Sequence, residues 1–73
     1  KLFRIGMGME LRNLKAFVEV VRQGGFSRAA RTLFSTQSTV SKAVGQLEAE
    51  CGEALLERLG TGVRLTAAGE LVY

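Results

Sequence analysis

The chain has 73 residues, 47% of them apolar, which suits one small folded domain and excludes a disordered tail. Ten Lys and Arg against seven acidic residues leave a net charge of +3, a mild bias towards nucleic acid or an anionic surface. With no His, no Asp and a single cysteine, the chain offers no zinc set, no internal disulfide and no distinct acid/base pair, so neither enzyme chemistry nor a metal or cofactor is expected.

The opening KLFRIGMG has too short an apolar region for a secretory signal. Residues 1–8 are therefore read as an N-terminal extension or vector-derived residues ahead of the domain. No apolar run approaches the ~20 residues of a membrane span, so no membrane partner is expected and a cytoplasmic address is the default.

Leu11, Leu14, Phe17, Val18 and Val21 recur at helical spacing, which predicts a first amphipathic helix from Glu10 to about Gln23. Gly24 and Gly25 stop it, and Arg22 suits the negative pole of its dipole. Phe17 belongs to the core, and Phe26 anchors the chain before the next helix. Ser27 is then the expected N-cap of a second helix, about Arg28 to Leu33, with Ala29, Ala30 and Leu33 inward. Paired alanines let two helices approach closely. Arg28 and Arg31 point elsewhere, towards a DNA backbone, with a solvated charge the equal reading for Arg31.

Phe34, Ser35 and Thr36 make the turn, with Thr36 the N-cap and Gln37 the first residue of a third helix. That helix runs to about Glu50 or Cys51 and ends at Gly52. At about 100° per residue, Val40, Ala43, Val44, Leu47 and Cys51 share one side, and Gln37, Ser38, Ser41, Lys42 and Gly45 share the other. A solvated face usually carries Glu and Lys together. Here the first carboxylate is Glu48, and the amide, hydroxyls and ammonium before it suit phosphate oxygens and base edges, with Gln able to pair bidentately with adenine. From this helix alone, a recognition helix and an ordinary wet face are equally good readings. Gly45 is unexpected in a helix interior, where it costs about 1 kcal/mol relative to Ala. Cys51 is read as a small buried hydrophobe.

Beyond Gly52, Leu55 to Arg58 and Val63 to Leu65 read as short strands around the tip Gly60, Thr61 and Gly62. Alternation turns Val63 and Leu65 inward and Arg64 outward. As a wing, this hairpin would bring Arg58 and Arg64 to a phosphate or minor groove; otherwise they are edge charges that discourage strand pairing. Thr66 caps a last helix from Ala67, where Leu71, Val72 and Tyr73 have little to bury against. The chain accordingly reads as the front piece of a longer protein or a cut domain. The fold expected is mostly α, a winged helix-turn-helix with three helices, a two-stranded wing and the start of a further helix.

From Leu11 to Val72 the chain resembles the N-terminal winged helix-turn-helix of LysR-type transcriptional regulators. The resemblance rests on MELRNLKAFVEVVRQGGFSRAARTL, TQSTVSKAVGQLE and RLGTGVRLTAAGELV, in that order and spacing. It implies a domain at residues 9–65 and the start of a linker, or dimerisation, helix at 66–73, with Thr66, Ala68 and Gly69 at the linker's beginning. It also implies a bacterial, nucleoid-associated regulator that binds double-stranded DNA as a homodimer or dimer of dimers, with a small-molecule effector held by a domain beyond Tyr73. By that resemblance Gln37, Ser38, Ser41 and Lys42 contact bases and phosphates, and Arg58 and Arg64 lie on the wing. With Arg28, Arg31 and Thr36 these residues form the expected DNA-binding set. The chain departs from the family at Ser38, commonly proline; at Ser35, commonly aliphatic; and at Gly45 and Thr61, often basic. Cys51 and Leu56 replace common Leu and Phe. The reading from another class is a winged-helix protein-interaction or dimerisation module, favoured by the apolar end and the carboxylates from Glu48 to Glu57.

Overall fold

The computed structural model describes residues 11–73, in the order α1 (Leu11–Gln23), α2 (Phe26–Thr32), α3 (Gln37–Cys51), β1 (Leu56–Leu59), β2 (Gly62–Leu65) and α4 (Ala67–Val72). The expected extension at 1–8 and the expected helix start at Glu10 lie outside the described residues. Helices α1, α2 and α3 pack around one core, and the strands form an antiparallel hairpin whose second strand packs against α1 and α4, as in a winged helix-turn-helix.

Helix α1 buries Ala16, Phe17 and Val20 and half-buries Leu14, Val18 and Val21, as its spacing predicts. Leu11, placed by that spacing on the same arc, is instead 78% exposed, at the first described residue of α1. Phe17 meets the edge of Tyr73 with ring centres 6.2 Å apart, so the last residue covers core rather than standing free. Burial of each such large side chain stabilises the fold by about 1.5–3 kcal/mol.

The entry to α2 differs from expectation. The helix begins at Phe26, its N-cap is Gly25 with no side-chain cap bond, and Ser27 lies inside the first turn. The hydroxyl of Ser27 is thereby released from capping and donates to Gln37 instead. Buried Ala29 and Ala30 bring α2 close to α3, whose Val40, Ala43, Val44 and Leu47 close the core from the other side.

The α2–α3 turn closes with Phe34 N–H donating to the carbonyl of Arg31 and Ser35 N–H donating to that of Ala30. In this paired arrangement the residue after the cap is left-handed, a place usually held by glycine. Phe34 holds it, at φ 55°, and the residue is 96% exposed. Thr36 then caps α3 as predicted: its Oγ1 accepts the Thr39 N–H at 3.1 Å. Gly52, left-handed, ends the helix after Cys51.

In the wing, Leu56 pairs with Leu65, Glu57 with Arg64, Arg58 with Val63 and Leu59 with Gly62, one residue later on β1 than the sequence suggested. Leu55 is buried just before β1. The Glu48 carboxylate accepts the N–H groups of Leu55 and Leu56 at 2.8 and 3.1 Å, so it belongs to the wing's foundation and not to a solvated cluster. Thr66 caps α4 by accepting the Gly69 N–H, and donates its hydroxyl to the Ala54 carbonyl. Any side chain at Gly69 would run into the carbonyl of Leu55, which explains the glycine here.

Candidate nucleic-acid interface

Helix α3 separates its two arcs cleanly. Gln37, Ser38, Lys42 and Gly45 are exposed and Ser41 is half-buried, while Val40, Ala43, Val44 and Leu47 are buried opposite. From Gln37 to Lys42 the helix rises only about 7.5 Å, so the polar groups form one short patch. Thr36 beside them is occupied with capping: its hydroxyl also donates to Thr39 Oγ1 at 2.8 Å.

Two neighbours touch this patch from outside α3. Ser27 Oγ on α2 donates to Gln37 Oε1 at 2.9 Å. From the wing, Arg58 Nη2 donates to Ser41 Oγ at 2.6 Å, and its guanidinium carbon lies 3.9 Å from the centre of the Phe26 ring. A cation over an aromatic face is attracted by the ring quadrupole, and here that contact holds the guanidinium against the protein. Phe26 thus anchors an arginine as well as the chain.

The remaining predicted cations divide into engaged and open groups. Arg28 Nη1 donates to the Gln23 carbonyl at 3.0 Å, tying α2 to the end of α1. Arg64 points outward on β2, but its Nε and Nη2 both donate to Glu57 Oε1, at 3.1 and 2.7 Å, across the strands. That pairing offsets much of its charge. Arg31 and Lys42 are exposed and make no hydrogen bond or ion pair with the described residues. A polar cleft of about 350 Å³ opens between the α1–α2 corner, the start of α3 and the wing tip, and brings Arg28, Gln37 and Arg58 together. Arg31, Ser38, Ser41, Lys42 and Arg64 lie outside that cleft.

Sequence reasoning missed three contributors. In the sequence Ser27 reads as a cap, and Phe26 as packing alone. Arg12 shares a second groove of about 340 Å³ with Asn13, Thr39, Lys42 and Gln46. Its signal was a cation in the first turn of α1, the positive pole, where a basic residue is unfavourable for the helix itself.

Cys51, expected as a buried hydrophobe, is half-buried; that burial pushes its thiol up, and the carboxylates of Glu50, Glu53 and Glu48 push it the same way, which disfavours the thiolate. Among the described residues no group of His, Cys, Asp and Glu could hold a metal ion, and no helix is long and apolar enough to cross a membrane.

Residues 11–70 match the family described as bacterial regulatory helix-turn-helix protein, lysR family. The HTH-type transcriptional regulator BudR of Klebsiella aerogenes is 48% identical over 65 residues, 89% of this chain and 46% of that protein. A structure of the BenM DNA-binding domain on catB site 1 DNA superposes with a TM-score of 0.84 at 42% identity, covering 89% of this chain and 72% of that one. The CbnR DNA-binding domain, also in complex with DNA, gives 0.82 at 41% identity over 86% of this chain and 72% of that one. The chain spans less than half the length of the curated relatives it matches, 46% of BudR from K. aerogenes and 22% of BudR from Raoultella terrigena.

Proposed function

Because the chain belongs to the LysR family of bacterial regulatory helix-turn-helix proteins, we propose that it binds double-stranded DNA sequence-specifically as the DNA-binding part of a transcriptional regulator. In this reading residues 9–65 form the domain, the exposed side of α3 enters the major groove, and the wing at 58–64 follows the backbone or minor groove. Gln37, Ser38 and Ser41 face base edges, while Arg28, Arg31, Lys42, Arg58 and Arg64 face phosphates and Thr36 sets the start of the helix. The observation that carries it is the separation on α3: Gln37, Ser38 and Lys42 exposed on one side, with no carboxylate on the helix before Glu48.

On α4, Leu71 is 89% exposed, an apolar residue that a second subunit would cover. Homodimerisation through residues 66–73, alone or towards a dimer of dimers, therefore belongs to the same reading, as do an effector-binding domain beyond the chain and a cytoplasmic address. Sedimentation with and without a duplex separates this from a pure protein-interaction module, which would self-associate without retaining DNA.

The test of the main reading is a titration against duplex DNA at several salt concentrations. Affinity should fall steeply with salt, and Lys42→Ala should flatten the log–log slope by about 0.9, the worth of one neutralised phosphate. Salt-independent binding, or none, would refute it.

A further inference from the structure

We propose that Ser27 and Arg58 set Gln37 and Ser41 on the reading face of α3 as hydrogen-bond donors, so that opposite Gln37 the helix selects guanine in preference to adenine. The inference rests on the DNA-binding reading above and concerns which bases that reading admits.

A glutamine amide can both give and accept, which is how a free one pairs bidentately with the N6 amino group and N7 of adenine. Gln37 is not free. Its Oε1 takes the Ser27 hydroxyl proton at 2.9 Å, which turns the carbonyl end of the planar amide towards α2. Its Nε2 makes no hydrogen bond with the described residues, and the residue is exposed, so the open end is the amino group.

Ser41 is set in the same sense. A guanidinium can only donate. In the 2.6 Å contact with Arg58 Nη2, Ser41 Oγ is therefore the acceptor, and its own proton is left to point elsewhere. The stack on Phe26 holds Arg58 in that position. Lys42 carries donors only, and the first carboxylate of α3, Glu48, accepts the N–H groups of Leu55 and Leu56. Gln37 and Ser41 therefore leave open an amino group and a directed hydroxyl, beside the Lys42 ammonium, while Ser38, whose hydroxyl is left to donate to Thr36 Oγ1 because the Thr36 proton goes to Thr39, keeps acceptor lone pairs outward.

Base edges differ in what they offer such a patch. In the major groove guanine presents two acceptors, O6 and N7; thymine presents one; adenine pairs an acceptor with a donor; and cytosine presents a donor. Donors meeting donors leave both unsatisfied in a desolvated contact, which is the costly case. Opposite Gln37, guanine is the base whose edge accepts what the outward amino group gives.

Ser27 is a positioning residue here, and its removal should change preference without changing general affinity. The experiment is selection from a random duplex pool by the full chain, followed by dissociation constants for guanine and adenine at the pair whose preference Gln37→Ala abolishes. Wild type should prefer guanine there. Ser27→Ala should relax that preference roughly threefold to tenfold, the net worth of one hydrogen bond, while Ser27→Thr keeps it and binding to an unrelated duplex stays the same. In a Gln37→Ala background, Ser27→Ala should have no further effect. Adenine at that pair in wild type, or an unchanged preference in Ser27→Ala, would overturn the inference while leaving DNA binding intact. Failure of wild type to enrich any sequence would overturn the reading beneath it as well.

Discussion

Helix α3 and the wing both carry polar and basic side chains that the sequence marks for DNA, yet they hold them differently. On α3, Lys42 and the amino end of Gln37 are open, with their backs fixed by a buried apolar arc. On the wing both arginines are engaged, Arg58 with Ser41 and Phe26 and Arg64 with Glu57. Formal charge therefore does not measure available charge. The wing in this state acts as a brace for α3, and α3 carries the groups free to meet a ligand.

The broadest way to break the contrast is to remove the floor under α3. Leu47 is fully buried between the helices, and Leu47→Ala should lower stability by about 2–5 kcal/mol. Thermal unfolding would show it as a large fall in Tm, and binding would be lost only as far as folding is.

Removing the cap separates architecture from recognition. Thr36→Ala should cost about 1 kcal/mol by the same thermal measurement, because the Thr39 N–H loses its partner. Duplex preference should be unaltered once the protein is folded, since the Thr36 hydroxyl is already committed within the turn.

A finer test lies in the wing. The Arg64–Glu57 pair is exposed, so Arg64→Ala should change stability by less than about 1 kcal/mol. Glu57→Gln should release the guanidinium, and tighter binding to all duplexes at low salt, with a steeper salt slope, is the expected result. An unchanged affinity would mean that Arg64 never reaches DNA.

The contrast also shows what could be read from residues alone. Helix α1 was legible because its apolar spacing is local, and α3 because its two arcs differ in chemistry. Thr36 and Thr66 were legible as caps, since their partners lie three residues on. Ser27 was misread because the N-cap fell to Gly25, a choice made by backbone geometry that leaves no mark in composition. Phe34 gave no warning that it would take a left-handed position, for which glycine is the usual signal. The Arg58–Ser41 bond joins residues 17 apart, and Glu48 reaches Leu55 and Leu56 across the helix end. Such pairings depend on the packed arrangement of elements, so the candidate residues could be named in advance but not their division into open and engaged.

The most direct test follows the backbone amide resonances of the chain during titration with a duplex selected from a random pool. The account predicts that shifts and broadening concentrate at residues 36–42, with smaller changes beside Arg28 and Arg58 and little along the buried face of α3. Changes confined to Leu71–Tyr73 or to the outer face of α1, with residues 36–42 unmoved, would contradict it.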